Sequence, residues 1–132
     1  MALVPWPEIQ REAFVRMQFT AQDSHYRNRY PDADYKVILN EDKPVGRIYI
    51  FRDEKVIRIL DITLLPQHRN AGIGTQLVTA VLSEGAGTAK AVQIYVETFN
   101  PSLRLFERLG FAKIGEEGFN LLLQWRPDPT TP

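Results

Sequence analysis

The chain has 132 residues, 44% of them hydrophobic, and its 16 basic and 16 acidic side chains leave a formal net charge of zero. That length suits one domain over residues 1–132, and the lack of a basic excess argues against nucleic acid as a partner. Cysteine is absent, which excludes disulfides, thiolate nucleophiles and Cys-ligated zinc. His25 and His68 are the two histidines and have no metal-ligand spacing around them, so no metal is expected.

The opening "MALVPWPEIQREAF" lacks the basic segment and long apolar run of a secretory signal. No run reaches the roughly 18 apolar residues of a membrane span. The expected setting is therefore cytoplasmic, without membrane contact. Past Pro7 there is no Gly or Pro before Pro31, and Ile9, Phe14, Met17 and Ala21 recur at helical spacing. This predicts one long helix, or two in tandem, over 7–29.

The period then changes. "YKVILN" (35–40) reads as a strand, "EDKPVG" (41–46) as its turn, and "VGRIYIFR" (45–52) as the next strand. After the polar turn "RDEK" (52–55), "VIRILDITLL" (56–65) is apolar on both faces, the mark of a central, doubly covered strand. A helix follows over 71–84, with Gly85 and Gly87 as its stop, and then the strand "AVQIYVE" (91–97). In "NPSLRLFERLG" (100–110), Asn100 suits an N-cap, Pro101 the first helical position and Gly110 the C-terminal stop. "FAKI" and "FNLLLQW" predict a closing hairpin around "GEEG", and the Pro-rich residues 126–132 a flexible tail. The order α, β-β-β, α, β, α, β-β is a mixed α/β domain: a central mixed sheet with helices on both faces and a parallel crossover at its centre, expected to be right-handed.

The segment "QHRNAGIGTQL" (67–77) lies where that central strand meets the next helix. Backbone N–H groups at a helix N-terminus lack partners, and the helix dipole favours an anion there. Gly72 and Gly74 permit close approach and Arg69 adds charge, so phosphate or pyrophosphate is the natural guest. The segment has no Gly-Lys pair, which a Walker loop needs, and Leu77 stands where a Rossmann fingerprint would have its third glycine.

"LLPQHRNAGIGTQLV" (64–78), with its R-x-x-G-x-G spacing, resembles the acetyl-CoA pyrophosphate loop of the GNAT (acyl-CoA N-acyltransferase) superfamily. "NPSLRLFERLGF" (100–111) is similar to that family's Asn-led helix, and one strand separates the two blocks, as in the family. The likeness covers about residues 35–125. It implies direct transfer of an acetyl group from acetyl-CoA to a primary amine, on a small molecule or a peptide. The amine acceptors of this family range from antibiotics to polyamines to protein N-termini.

The resemblance also implies roles. Asn70, Ala71, Gly72, Ile73, Gly74 and Thr75 would cradle the pyrophosphate with their amides, and Arg69 would lie near a phosphate. Backbone around Ile62, Leu64 and Leu65 would bond the pantetheine arm, and the amide near Leu64 would polarise the thioester carbonyl. Asn100 would approach the pantetheine from the other side, as well as or instead of capping its helix. His25, Tyr26 and Tyr30 fall in the region that walls the family's acceptor pocket. A base must take a proton from the amine, and Glu97 and Asp61 are the candidates. Asp61 interrupts an apolar strand, where an unpaired carboxylate is costly, so it is either paired, with Arg58 or a turn lysine, or functional.

Two departures from the family stand out. Phe106 occupies the position, beside the cofactor, where a tyrosine commonly serves as the acid, and it has no proton to give. Tyr95 or a water would then protonate the thiolate, or it leaves unassisted, or the chain binds acyl-CoA without turning it over. The family also usually opens with a strand, for which "MALVPW" is short and broken by proline. The expected sheet therefore lacks the first strand, and the strand at 35–40 becomes an edge that a partner subunit, as in a homodimer, or the N-terminal tail must cover.

Overall fold

The computed structural model describes residues 2–5, 28–69 and 72–127. The chain forms two compact units, Met1–Phe51 with Leu60–Ala71 and Arg52–Ile59 with Gly72–Pro132. The helix expected over 7–29 lies outside the described residues, except that Asn28 and Arg29 are helical.

The first unit holds strands β1 (Ala2–Pro5), β2 (Asp34–Asn40) and β3 (Lys43–Arg52, to Phe51), and the end of β4 (Val56–Leu64). They lie in the order β1-β2-β3-β4. The expectation of a missing first strand is corrected here. Ala2–Pro5 pairs antiparallel with β2, from Ala2↔Leu39 to Pro5↔Lys36, so the N-terminal tail itself covers the edge. Pro5 is tolerated because β1 is the outermost strand and need not donate on both sides. The β2–β3 turn is also tighter than expected. Only Glu41 and Asp42 lie between the strands, and both have positive φ, 53° and 66°. That is the type I′ pattern, whose twist matches a hairpin.

Alternation buries Val37, Val45 and Tyr49 on one face of this hairpin and Ile38, Ile48 and Ile50 on the other. Tyr49 meets Tyr35 edge-on at 4.7 Å, and Tyr30 packs on Phe51 at 5.1 Å. Gly46 is required by β4. A Cβ there would collide with the Thr63 carbonyl oxygen and come within 2.9 Å of Leu64.

The second unit contains the start of β4, α1 (Ile73–Thr88), β5 (Ala91–Glu97), α2 (Leu103–Arg108), β6 (Ala112–Glu117) and β7 (Asn120–Trp125). Its strand order is β4-β5-β7-β6. β4 and β5 are parallel, from Val56↔Ala91 to Ile59↔Ile94, and α1 is their crossover. β5–β7 and β7–β6 are antiparallel. The fold is therefore mixed α/β, as the element order implies.

Helix α1 outruns its predicted stop. It continues through Gly85 and Gly87 to Thr88 and ends at Ala89, which takes the left-handed conformation (φ 57°) while the Lys90 N–H bonds the Gly85 carbonyl at 2.9 Å. This is a Schellman cap with alanine in glycine's usual place. Gly85 serves packing instead. A Cβ there would lie 2.8 Å from the Lys90 carbonyl oxygen and 3.1 Å from both Trp125 and Val92. At the far end of α2 the expected stop is present. Gly110 has φ 100°, and the Gly110 and Phe111 N–H groups bond the Glu107 and Phe106 carbonyls. The hairpin turn falls at Gly118–Phe119 rather than around "GEEG", so β6 takes in Gly115, Glu116 and Glu117.

Candidate active site

The second unit carries the glycine segment. Gly72 precedes α1 with φ 82°, and its carbonyl accepts the Gln76 N–H at 3.0 Å. The N–H groups of the first turn, Ile73, Gly74 and Thr75, have no intrahelical carbonyl to bond. Among the described residues no side chain caps them, and no acidic residue lies in that turn. A Cβ on Gly72 would meet nothing within 4 Å, so the space over it is open. Ile73 anchors this turn in the core together with Leu77, Val78, Val81 and Leu82. Asn70 and Ala71 lie outside the described residues.

The end of β5 supplies the next group. Its alternation buries Val92, Ile94 and Val96 and turns Gln93, Tyr95 and Glu97 to the opposite, more polar face. On that face Arg58 Nη2 donates to Gln93 Oε1, and Gln93 Nε2 donates to Gln124 Oε1, both at 2.7 Å. The Arg58 guanidinium lies 5.8 Å from the Tyr95 ring. Tyr95 and Glu97 are both exposed.

A turn then leads to α2. The Asn100 N–H bonds the Glu97 carbonyl at 3.0 Å. Asn100 Oδ1 accepts from the Ser102 N–H at 2.9 Å and from its hydroxyl at 2.8 Å. This is a turn ahead of the helix rather than its cap: α2 begins at Leu103 with Ser102 as N-cap, so the expected places of Asn100 as N-cap and Pro101 as first helical residue are corrected by two residues. Phe106 is 1% exposed and meets Phe111 edge-on at 5.4 Å. Its ring is core, the hydrophobic contact that accompanies the cap at Gly110.

The first unit carries the end of β4. The Leu65 N–H bonds the Val45 carbonyl at 2.8 Å, so that amide belongs to the pairing with β3. The Ile62 backbone N–H bonds the Asp61 carboxylate. Arg69 is exposed, and its Nε donates to the Leu64 carbonyl at 3.1 Å.

Asp61 is paired, but not with Arg58 or a turn lysine. Its Oδ2 lies 2.5 Å from Nε of Arg47 on β3, and its Oδ1 accepts from the Thr63 hydroxyl at 3.1 Å. The two charged side chains are 6% and 14% exposed. Burial raises the Asp61 pKa above the ordinary carboxylate value, against the opposing pull of Arg47 and Thr63. Arg47 also stands over the Tyr49 ring, 5.1 Å from its centroid. Arg47 escaped the sequence reading because its pairing depends on the β3–β4 register. Phe99 and Phe119 are exposed, each in a turn. His25 and Tyr26 lie outside the described residues.

The comparisons bear on this geometry. The Acetyltransferase (GNAT) family model matches residues 3–111. The chain is similar in fold to PH1933 from Pyrococcus horikoshii OT3 (TM-score 0.73, 18% identity, covering 96% of this chain and 98% of that one). A GNAT family acetyltransferase from Elizabethkingia anophelis with acetyl-CoA bound has TM-score 0.71 and 15% identity, over 95% of this chain and 97% of that one. An aminoglycoside 6′-N-acetyltransferase complexed with coenzyme A has TM-score 0.71 and 10% identity, over the full length of both chains. At such identities the likeness carries the fold alone. No curated protein matches the chain. With the family model spanning 3–111, this chain belongs to the GNAT acetyltransferase family.

Proposed function

We propose that the chain transfers an acetyl group from acetyl-CoA to a primary amine by direct attack on the thioester. The observation that carries this reading is the start of α1, where open space over Gly72 adjoins a first turn of unpartnered N–H groups without an acidic residue. That is the chemistry of a pyrophosphate seat, in a chain of the GNAT family. The amides of Ile73, Gly74 and Thr75, with those of Asn70, Ala71 and Gly72, are assigned to the pyrophosphate, and Arg69 to a neighbouring phosphate. The backbone around Ile62 and Leu64 is assigned to the pantetheine arm, and the Leu64 amide to the thioester carbonyl.

Chemically, the ammonium loses one proton to free its lone pair, the nitrogen bonds to the carbonyl carbon, the C–S bond breaks and the nitrogen loses its second proton; one proton ends on the departing sulfur and one in solvent. We assign the base to Glu97, which is exposed and free of the buried pairing that occupies Asp61. Tyr95, on the same face, is the proton donor for the thiolate. Asn100 supports the site from the turn ahead of α2. The chain is read as one domain, and a cytoplasmic setting fits acetyl-CoA as its co-substrate.

Calorimetry with acetyl-CoA tests the seat. Gly72→Asp should abolish binding by setting a carboxylate where the phosphate belongs, and retained binding would refute the seat. Glu97→Gln should keep acetyl-CoA binding and lose on the order of 10²- to 10⁴-fold in kcat. Asp61→Asn should keep most of the rate, and the reverse result would exchange the two assignments. A second reading, binding of acyl-CoA without turnover, draws on Phe106, which is buried and has no proton to give. CoA release in the presence of amines separates the two readings.

A further inference from the structure

On the polar face of the second unit, a row of side chains crosses three strands. Arg58 on β4 lies directly opposite Gln93 on β5, and Gln93 lies directly opposite Gln124 on β7. Arg58 Nη2 donates to Gln93 Oε1, and Gln93 Nε2 donates to Gln124 Oε1, both at 2.7 Å. The Gln93 amide is thereby held in one orientation, its oxygen taken by a donor and its nitrogen by an acceptor. All three side chains are half-buried.

Such a row is a poor way to stabilise a sheet. Taking a guanidinium and two amides out of water is costly unless their donors are paired, and Arg58 Nε is buried without a hydrogen-bond partner. Among the described residues no carboxylate makes an ion pair with Arg58 either. Apolar side chains at these positions would leave no donor unsatisfied.

What the row does is aim the guanidinium. Tyr95 is two residues beyond Gln93 on the same face of β5, and the Arg58 guanidinium carbon stands over its ring, 5.8 Å from the centroid. That distance is within reach of cation–π attraction. The attraction grows as the ring gains negative charge, so it is stronger once the Tyr95 hydroxyl has given up its proton. An interaction that strengthens along the reaction raises kcat, whereas one of constant strength does not.

Resting on the assignment of Tyr95 as proton donor, we infer that Arg58 is the positioning residue of that tyrosine. Gln124 and Gln93 hold the guanidinium, and the guanidinium holds the ring. In the step it supports, the Tyr95 O–H bond breaks and an S–H bond forms on the departing CoA. The phenolate then takes a proton from the solvent that received those of the amine, and the tyrosine is restored.

The test is a double-mutant cycle between Arg58→Met and Tyr95→Phe, with the full chain and acetyl-CoA. Butylamine, spermidine and glycylglycine serve as trial acceptors, and turnover is read as CoA release. Tyr95→Phe should cost on the order of 10²-fold in kcat. Arg58→Met should cost roughly 3-fold to 30-fold in kcat, the worth of a cation–π contact expressed as a rate, and leave the KM for acetyl-CoA in place. In the Tyr95→Phe background it should cost nothing further. Arg58→Lys, which keeps the charge, should recover part of the loss. Gln124→Leu, which releases Gln93, should show a smaller loss of the same kind. The near-UV circular dichroism that Tyr95→Phe removes should fall in Arg58→Met as well. An equal kcat loss from Arg58→Met in both backgrounds would overturn the inference, as would a native kcat and a native dichroic band in that variant. If Arg58→Met does not fold, Arg58→Lys and Gln124→Leu, each combined with Tyr95→Phe, carry the same comparison. If acetyl-CoA binds and none of the amines is acetylated, the transferase reading fails by itself, and the dichroic band still decides whether Arg58 orders the Tyr95 ring.

Discussion

Asp61 shows what one residue in a strand can and cannot disclose. A carboxylate inside "VIRILDITLL" had to be paired or functional, because burial of a lone charge is costly. Arg58 was a poor choice of partner on spacing alone, since residues three apart in a strand point to opposite faces. The true partner, Arg47, follows from the β3–β4 register, which no local pattern states. The pair gives a pH-dependent prediction. Burial raises the folded-state pKa of Asp61, so its contribution to stability is complete below the unfolded pKa and is lost as pH rises through the folded one. Arg47→Met removes the main opposing charge and raises that pKa further. It should cost about 3–5 kcal/mol near pH 7, the usual penalty for orphaning a buried charge. The cost should shrink at lower pH, where the carboxyl takes up its proton. Adding Asp61→Leu should restore most of the loss. Urea denaturation of the native chain and these two variants at both pH values measures this, and a penalty independent of pH would show that the buried carboxylate is not its source.

Element boundaries were legible where a terminus has its own grammar. Gly110 marked the end of its helix, and the Gly110 and Phe111 N–H groups make the bonds of that stop, while the start signalled by Asn100 and Pro101 falls two residues later, at Ser102 and Leu103. The same grammar misled at Gly85 and Gly87, because a glycine can serve close packing as readily as chain reversal. Strand β1 was missed for a related reason. Four residues ending in proline carry little intrinsic strand signal, and only pairing with Lys36–Leu39 makes them a strand. The two helix glycines now give opposed predictions. Gly→Ala in a helix interior usually stabilises by roughly 0.5–1 kcal/mol. Gly87→Ala should do so, since nothing lies within 4 Å of its new methyl. Gly85→Ala should destabilise, because its methyl would sit 2.8 Å from the Lys90 carbonyl oxygen, a backbone atom of the cap itself. Thermal unfolding of the two variants beside the native chain reads the signs directly. A stabilised Gly85→Ala would mean that α1 can move off β5 and β7 without cost.

At the scale of the molecule, the pattern of periods sufficed for the fold class because each element changes period at a turn. The division of the strands between two compact units was not legible, because it depends on which residues are near in space. That division cuts β4 after Ile59, leaving Val56–Ile59 in one unit and Leu60–Leu64 in the other. Neither unit has a whole β4 of its own. The first pairs its share beside β3, with Leu65 bonded to Val45, and the second pairs its share with β5. Loss of either half strips the strand from which the other half continues, so both should unfold together in a single transition. A ligand that binds only the folded chain raises stability by mass action, about 2.7 kcal/mol at a hundredfold excess over Kd. Acetyl-CoA at that excess should therefore move the whole transition upward by several degrees, monitored by calorimetry and by far-UV circular dichroism together. Two resolved transitions, with acetyl-CoA shifting one and leaving the other in place, would show that the units fold independently and that the continuous strand does not couple them.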